Sequence, residues 1–216
     1  MPSNTAHAAA QIKQSGVVAI IRGDYALNEL LTIAETLLNA SVTTLEVTLN
    51  SRGALEAIAA LRQHFGQNML VGAGTVRTAD QLDQAFKVGA QFIVSPNFDP
   101  ASAIHAKLHD VLHLPGVATA TEAQNAFLAG CAIVKLFPAN LLGGPAYLKA
   151  LRAPLNDIEF APTGGITADN LVDYVQAGAV AVGVGSWLVP AANWSTAEIA
   201  ARANALSAAW KDAHHA

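Results

Sequence analysis

The sequence predicts a (β/α)8 barrel, a TIM barrel, with an extra helix at its N-terminus. Three observations point to it: eight short apolar segments, helical patterns between most of them, and a repeated joint at which a helix ends on a small residue before the next apolar segment. Strands that alternate with helices in this way are typical of parallel sheets built from βαβ units. A chain of 216 residues suits one such barrel, and we expect residues 1–216 to form a single domain.

The predicted strands are short runs of mainly apolar residues. They are Val17–Ile21, Thr44–Val47, Leu70–Gly72, Phe92–Val94, Val111–Leu114, Ile133–Leu136, Glu159–Ala161 and Ala181–Val184. Runs of this length and composition are typical of strands that are buried on both faces, as the strands of a parallel sheet are.

Helical patterns occupy most of the intervals between these strands. They are Leu27–Asn39, Ala54–His64, Ala79–Lys87, Ala101–Leu108, Glu122–Leu128, Tyr147–Arg152 and Asp169–Gln176. Two more helices are predicted at the ends of the chain, over residues 5–15 and 196–212. We expect the first of these to cover the bottom of the barrel.

The repeated joint gives the strands a common register. A residue suited to a left-handed helix cap precedes the second, fourth, sixth and eighth predicted strands, at Ser41, Gly89, Gly130 and Gly178. Counting five residues on from each cap gives Glu46, Val94, Lys135 and Gly183. In a barrel these positions are expected to share one interior layer. The alternative, an open doubly wound sheet, would favour a dinucleotide fingerprint or a clear edge strand, and the sequence has neither.

Composition excludes several classes of function. The net charge is −4 and no basic run occurs, which argues against a nucleic-acid partner. No run of 18 apolar residues is present, so no membrane-spanning helix is expected. The single Cys131 excludes an intrachain disulfide framework, and the first residues lack the pattern of a secretory signal. A reduced, cytoplasmic protein is therefore expected.

Lys135 is the most informative residue, because it alone among six lysines interrupts a predicted strand. A buried lysine is costly unless it is paired, and burial lowers its pKa. A neutral amine can attack a carbonyl group and form a Schiff base. The alternative is a buried ion pair between Lys135 and Glu46 that does no chemistry.

Glu46 lies in a strand in which apolar and polar residues alternate. The polar set of Glu46, Thr48 and Asn50 is expected to face the barrel interior, since the apolar set packs against the helices. A carboxylate near a Schiff-base lysine suits general acid/base catalysis. Alternatively, Glu46 only orients the lysine.

Two glycine-containing loops predict an anion site. Thr163, Gly164 and Gly165 follow the seventh predicted strand, and Gly185 and Ser186 follow the eighth. Barrels frequently bind phosphate with these two loops and a helix N-terminus. The alternative is a pair of ordinary turns.

Two further strand ends carry residues that are candidates for binding the substrate. Thr75 could bind a carboxylate through its hydroxyl, or could serve only in a crowded turn. Arg22 could hold a carboxylate or phosphate through two hydrogen bonds, or form an ion pair at the rim.

The histidines do not predict a metal site. His105, His109 and His113 recur every four residues, but His113 falls in a predicted strand, so the helical spacing breaks and no metal is expected.

Motifs spread over nearly the whole chain resemble one enzyme family. They are Val18–Gly23, Leu45–Leu49, Val71–Val76, Phe92–Pro96, Leu114–Gly116, Val134–Ala139, Pro162–Gly165 and Gly185–Pro190. The sequence is similar to the class I aldolases that cleave 2-keto-3-deoxy-6-phosphogluconate (KDPG) and 4-hydroxy-2-oxoglutarate (KHG). The resemblance implies a metal-free barrel without a cofactor, usually a homotrimer.

The resemblance also assigns roles to residues. It places the family's Schiff-base lysine at Lys135 and its general acid/base at Glu46. The threonine that binds the pyruvate carboxylate falls on Thr75, and the phosphate loops fall on 163–165 and 185–186. The implied reaction is reversible cleavage of a phosphorylated keto acid to pyruvate and glyceraldehyde 3-phosphate.

One departure from the family pattern concerns the substrate. Many phosphogluconate-type members have an arginine where this chain has Asn50, and it helps to hold the carboxylate. Asn50 together with Arg22 resembles the branch that acts on the C4 epimer, 2-keto-3-deoxy-6-phosphogalactonate. Outside this family, the alternatives are a phosphate-binding barrel isomerase or epimerase, and a sugar-phosphate sensor without catalysis.

Overall fold

The computed structural model describes residues 3–215, which alternate between helices and short strands along most of their length. The helices are α1 (Asn4–Ser15), α2 (Leu27–Asn39), α3 (Ala54–Phe65), α4 (Ala79–Lys87), α5 (Pro100–Leu108), α6 (Ala120–Leu128), α7 (Gly144–Arg152), α8 (Ala168–Gln176) and α9 (Thr196–His215). The strands are β1 (Val17–Ile21), β2 (Thr44–Thr48), β3 (Leu70–Gly74), β4 (Phe92–Val94), β5 (Leu112–Leu114), β6 (Gly116–Val117), β7 (Ile133–Leu136), β8 (Glu159–Pro162) and β9 (Val182–Val184). Within the described range, no helix is both long and apolar enough to cross a membrane.

All recorded strand pairings are parallel, and the strands form a curled α/β arrangement. One sheet has the order β5-β4-β3-β2-β1-β9, and a second has the order β6-β7-β8. Isolated parallel bridges, Phe160 to Ala179 and Thr163 to Gly183, link the β8 region to the β9 region. The predicted parallel α/β fold is therefore confirmed.

The fifth predicted strand, Val111–Leu114, corresponds to β5, which begins one residue later. The sequence did not predict the short strand β6, which follows on the other side of Pro115. β5 pairs with β4, whereas β6 pairs with β7. Proline has no backbone N–H to donate to a ladder, so it suits a break at which pairing passes from one neighbour to the other.

The repeated helix-to-strand joint has the predicted left-handed residue. Ser41 has φ 64°, and the three glycines have φ between 93° and 96°. A fifth joint of this kind, which the sequence pattern did not reveal, has Asp110 at φ 48° before β5. Asp110 and Val111 donate backbone hydrogen bonds back into α5, to Lys107 and Ala106 respectively. The joint therefore caps the helix and fixes where the strand begins.

Alternation along the strands separates two apolar cores. The larger core packs strand residues such as Ala19, Leu45 and Val134 together with buried residues of the helices. The smaller core lies among the opposite faces of the strands and includes Val18 and Ile133. Since side chains alternate along a strand, Glu46 and Lys135 belong to the second of these faces.

Helix α1 covers one end of the smaller core. Its residues Ala8, Ala9 and Ile12 pack into that core. The backbone N–H groups of Asn4 and Thr5 donate to the Asp110 carboxylate. This agrees with the predicted role of the N-terminal helix.

Candidate active site

Glu46 and Lys135 are buried ionisable side chains on the interior faces of two strands. Glu46 on β2 is 1% exposed, and Lys135 on β7 is 5% exposed. Glu46 is paired in register with Ile20 of β1 and Gly72 of β3. Lys135 is paired with Gly116 of β6 and Ala161 of β8. Gly74 leaves room for the Glu46 side chain, because an added Cβ atom there would press against the Glu46 carboxylate.

Burial shifts both groups towards their neutral forms. It raises the pKa of the Glu46 carboxyl above its usual value, and the positive charges of Lys135 and Arg22 partly offset that rise. It lowers the pKa of the Lys135 amine, a shift that Glu46 opposes and Arg22 adds to. The site therefore favours an amine that can act as a nucleophile next to a carboxyl group that can exchange a proton.

The layer predicted from the repeated joint is present. Glu46, Val94, Lys135 and Gly183 all line one small cavity of about 10 Å³. Each of these positions lies five residues after a helix cap. A carboxylate and an amine thus face a common interior space from different strands.

A larger cavity of about 550 Å³ adjoins this space and shares Lys135, Ile20 and Thr163 with it. Cavities of several hundred Å³ with a few polar groups are typical of small-molecule sites. Phe137 also lines this larger cavity, and its ring centroid lies 4.9 Å from the Lys135 Nζ atom. The aromatic ring leaves the amine in a largely apolar setting, while the loops around it supply polar atoms.

The two predicted anion-binding loops meet at this larger cavity. All five predicted residues, Thr163, Gly164, Gly165, Gly185 and Ser186, are among those that line it. Gly164 and Gly165 have φ values of 107° and 69°, which glycine adopts without strain. The second loop closes with hydrogen bonds from the Leu188 and Val189 N–H groups to the Gly185 carbonyl oxygen.

Helix α8 begins directly after the first of these loops. Thr167 is its N-cap, and the Thr167 N–H donates to the Asn170 side chain. The Asn170 amide in turn donates to the Gly165 carbonyl oxygen, which ties the loop to the helix. A helix N-terminus and a glycine loop together present backbone donors suited to an anion.

Of the three remaining predicted site residues, one lines the larger cavity and two do not. Arg22 lies just after β1 and lines the larger cavity. Asn50 is exposed beyond the end of β2, and Thr75, half-buried with φ 56°, follows β3. Neither Asn50 nor Thr75 is among the residues that line the two cavities. The structure thus brings Arg22 to Lys135 more directly than it brings the other two.

Several residues at the cavity were not assigned a role from the sequence. Trp187 lines it, its carbonyl oxygen accepts a hydrogen bond from Arg202, and the Arg202 guanidinium lies 5.6 Å from its ring centroid. Phe137 lines it as well. Each lies within two residues of a predicted site residue, and that proximity is the signal that could have identified them.

As the sequence predicted, the three regularly spaced histidines do not share one helix. His113 lies in β5, where its Nε2 atom is 2.8 Å from the Ser95 Oγ atom. Burial lowers the pKa of His113 to about 4. His105 and His109 instead lie at the outer surface and both contact the Asp83 carboxylate of α4.

Comparison with known proteins shows which family the chain resembles. A family model described as KDPG and KHG aldolase matches residues 8–203. A relative from Treponema pallidum named 2-dehydro-3-deoxy-phosphogluconate aldolase is 46% identical over 74% of this chain and 75% of its own. A relative from Escherichia coli K12 named 2-dehydro-3-deoxy-6-phosphogalactonate aldolase is 36% identical over 91% of this chain and 95% of its own.

A solved structure extends the likeness to the whole fold. It is the KDPG aldolase from Legionella pneumophila with pyruvate captured as a covalent carbinolamine intermediate. The two chains are 30% identical with a TM-score of 0.81, and the match covers 95% of this chain and 97% of the other. The extent of the family match and the identity to these relatives leave one assignment: this chain belongs to the KDPG and KHG aldolase family.

Proposed function

We propose that this protein is a class I aldolase that cleaves 2-keto-3-deoxy-6-phosphogluconate reversibly to pyruvate and glyceraldehyde 3-phosphate. One observation carries the proposal: the buried Lys135 amine and the buried Glu46 carboxyl share a small interior space that opens on the larger cavity. The covalent pyruvate adduct of the Legionella pneumophila relative supports the same chemistry.

The first step is the attack of the neutral Lys135 amine on the C2 ketone of the substrate. Burial lowers the pKa of Lys135 and so increases the fraction of amine available at neutral pH. Glu46 donates a proton to the carbinolamine hydroxyl, which leaves as water, and a protonated Schiff base forms. The raised pKa of Glu46 suits a group that must give up and recover a proton.

Cleavage follows because the positively charged Schiff base accepts electrons. Glu46 takes the proton of the C4 hydroxyl, directly or through a water molecule. The C3–C4 bond breaks, its electrons form an enamine, and glyceraldehyde 3-phosphate leaves. Glu46 then returns a proton to C3, and water releases pyruvate and the free lysine. The Schiff base supplies the electron sink that a metal ion would otherwise supply.

The two ends of the substrate are held by different groups. Arg22 and Thr75 bind the carboxylate, with Asn50 at the position where an arginine is common in the family. The loops 163–165 and 185–186 bind the phosphate with backbone and hydroxyl donors. In support of a role in substrate binding, Arg22 and both loops line the larger cavity together with Lys135.

Substrate stereochemistry is the finer question within this proposal. The relative of 46% identity is named for the phosphogluconate, whereas the relative that matches 91% of the chain is named for the phosphogalactonate. Asn50 and Arg22 resemble the galactonate branch, so that epimer and 4-hydroxy-2-oxoglutarate are the alternative substrates. Steady-state rates on the two epimeric phosphorylated acids decide between them.

Borohydride trapping with pyruvate tests the chemistry. We expect a stable reduced adduct on a peptide that contains Lys135 and no adduct in Lys135→Ala. Lys149→Ala, which removes an exposed lysine of α7, is the matched control and should keep the adduct. A barrel isomerase, an epimerase or a sensor would give no adduct. An adduct or more than about a thousandth of the turnover in Lys135→Ala contradicts the assignment.

Metal independence belongs to the same proposal. Activity should be unchanged after exhaustive treatment with EDTA. Loss of activity that a divalent ion restores would instead place the enzyme among metal-dependent aldolases.

The assembly proposed for this enzyme is a homotrimer of one-domain chains. Several large apolar side chains are exposed on one chain, as expected of a subunit that associates: Ile104, Leu108, Leu128 and Leu141. Within each chain, the bridges between the β8 and β9 regions support closure of the two sheets into one eight-stranded barrel. Its substrates are phosphorylated metabolites, so we place the enzyme in the cytoplasm.

A further inference from the structure

Three side chains of the types that ligate metals lie together on the outer surface: Asp83 on α4, and His105 and His109 at the C-terminal end of α5. His105 and His109 lie one helical turn apart, and Asp83 faces them from the neighbouring helix. The Asp83 Oδ1 atom lies 3.0 Å from His105 Nδ1 and 2.9 Å from His109 Nε2. The three ligand atoms all lie within 4.8 Å of one another.

The donor set and its spacing match a zinc-type ion. Zinc binds imidazole nitrogens and carboxylate oxygens at about 2.0–2.2 Å in tetrahedral geometry, which sets ligand atoms about 3.3 Å apart. The two Asp–His distances need to widen by only a few tenths of an ångström to reach that spacing. Two histidines four residues apart on a helix are a known way to present two nitrogens to one ion.

The ligands are ordered before any ion binds. The His109 ring stacks on Phe86 of α4, with centroids 4.3 Å apart and planes 16° apart. The His109 N–H donates to the His105 carbonyl oxygen, which continues the helical turn that aligns the two rings. The three side chains are 29–36% exposed, so an ion can reach them and a water molecule can complete its coordination.

The carboxylate of Asp83 is shared between the two imidazole rings. One of its oxygens, Oδ1, lies within hydrogen-bond distance of a ring nitrogen of each histidine. An imidazole nitrogen ligates a metal ion only when it carries no proton, so ligation requires any proton of each ring to be on the nitrogen that faces away from the ion.

We propose that Asp83, His105 and His109 form a surface site for a divalent ion of the zinc type, which fastens α4 to α5. The site lies on the helices and is separate from the interior strand positions of Lys135 and Glu46. It therefore adds to stability and leaves the Schiff-base chemistry metal-free.

Zinc and cobalt titrations of EDTA-treated protein test the site. Calorimetry should show one Zn²⁺ per chain, and Co²⁺ should develop visible absorption from bound metal. Zinc at about 100 times its Kd should raise the Tm by roughly 5 °C or more. Asp83→Asn and His105→Ala should each weaken zinc binding roughly tenfold or more. Circular dichroism of both variants checks their folding, which is expected because the residues are exposed.

Two control variants separate this cluster from other histidines. His64, which pairs with Glu35 and is 46% exposed, provides one, and His64→Ala should bind zinc like the wild type. The adjacent histidines at 214–215 provide the other, and a His214→Ala/His215→Ala variant should also retain the site. Absence of one-to-one binding, unchanged affinity in folded Asp83→Asn, or loss of binding in either control overturns the proposal. In that case the cluster is a hydrogen-bonded triad only.

Discussion

At the scale of single residues, the proposed chemistry depends on the interaction between Glu46 and Lys135. Burial favours the neutral form of each, while the attraction between them favours the charged pair. The two groups are therefore poised to exchange a proton with a substrate between them. Removing one partner should change the titration of the other in a direction that can be worked out.

Glu46→Gln should slow cleavage by a factor of roughly 10² to 10⁴, the usual contribution of a general acid/base. Glu46 raises the pKa of Lys135, so its loss should lower that pKa and leave the amine reactive at a lower pH. The pH dependence of Lys135 modification by an amine-directed reagent measures this shift. Glu56→Gln, an exposed carboxylate of α3, should change neither property. A shift to higher pH in Glu46→Gln would contradict this electrostatic account.

Arg22→Ala should weaken pyruvate binding, because a charged hydrogen bond to a carboxylate contributes roughly 1.5–3 kcal/mol. Asn50→Arg should partly restore affinity in the double variant, since β1 and β2 are neighbours. The measurement is a double-mutant cycle on inhibition by pyruvate. Arg52, which pairs with Asp24 and is 85% exposed, provides the control, and Arg52→Ala should bind pyruvate normally.

An unchanged affinity for pyruvate in Arg22→Ala would rule out the carboxylate role. If the affinity for glyceraldehyde 3-phosphate fell instead, Arg22 would belong to the phosphate end of the site.

At the scale of elements, the proposed phosphate site lies on loops, whereas the proposed reacting groups lie on strands. The loop after β8 depends on two consecutive glycines with left-handed backbone conformations. A Cβ atom added to Gly165 would also lie only 2.6 Å from the Asn140 amide carbon. A side chain at this position must therefore displace the loop.

Gly165→Ala should raise the KM for the phosphorylated substrate roughly tenfold or more, as expected for loss of hydrogen bonds to a charged group. Borohydride trapping of pyruvate should be unaffected, because pyruvate carries no phosphate. Gly130→Ala is the matched control: its φ is 93°, but an added Cβ meets nothing within 4 Å. It should lower stability without changing KM. Equal effects of the two changes on KM would show that strain, rather than phosphate binding, is responsible.

His113 makes β5 sensitive to acid. Its pKa is about 4 when folded, against an ordinary value of 6.5, because burial disfavours the charged ring. Above pH 6.5 the His113 ring is neutral in both the folded and the unfolded chain, so it does not reduce the free energy of unfolding. As the pH falls to 4 the unfolded chain gains the proton first, which costs roughly 3 kcal/mol of stability. The difference between the wild type and His113→Gln in urea unfolding across this range measures the effect.

The His113→Gln variant should lose that part of the acid sensitivity, since glutamine can still hydrogen-bond to Ser95 but does not titrate. His64→Gln, at a half-exposed position, should show the same dependence of the free energy of unfolding on pH as the wild type. Parallel wild-type and His113→Gln curves would exclude His113 as a source of acid sensitivity.

Local signals account for how well these elements could be predicted. Helix α2 and strands β1, β4 and β7 have the predicted bounds, because the pattern of apolar residues defines them within the sequence itself. The break at Pro115 depends on β5 and β6 pairing with different neighbours, which no local pattern contains. Lys135 and Glu46 were identifiable because charge is rare in a buried strand. Asp83 was not, because its histidine partners lie on another part of the chain and an acid on a helix surface is ordinary.

At the scale of the whole molecule, the exposed apolar side chains predict association. Sedimentation should give a mass of about 67 kDa, three times the 22.3 kDa of one chain. The physical reason is that Leu108, Leu128 and Leu141 are each more than 70% exposed on a single chain, which is unfavourable in water. A monomer at micromolar concentration would contradict the trimer while leaving the chemistry of Lys135 untouched.

Helix α1 imposes an order on how the chain matures. It precedes every other described element along the sequence, yet its apolar residues pack against a core that includes Ala181, near β9. Its polar contacts also join distant positions: Asn4 to Asp110, and Lys13 to Glu159 across 146 positions of sequence. These partners are synthesised long after the helix itself. Among the described elements, α1 is consequently one of the last to dock, and slowed exchange of its backbone amide hydrogens would mark the moment at which the interior is closed to solvent.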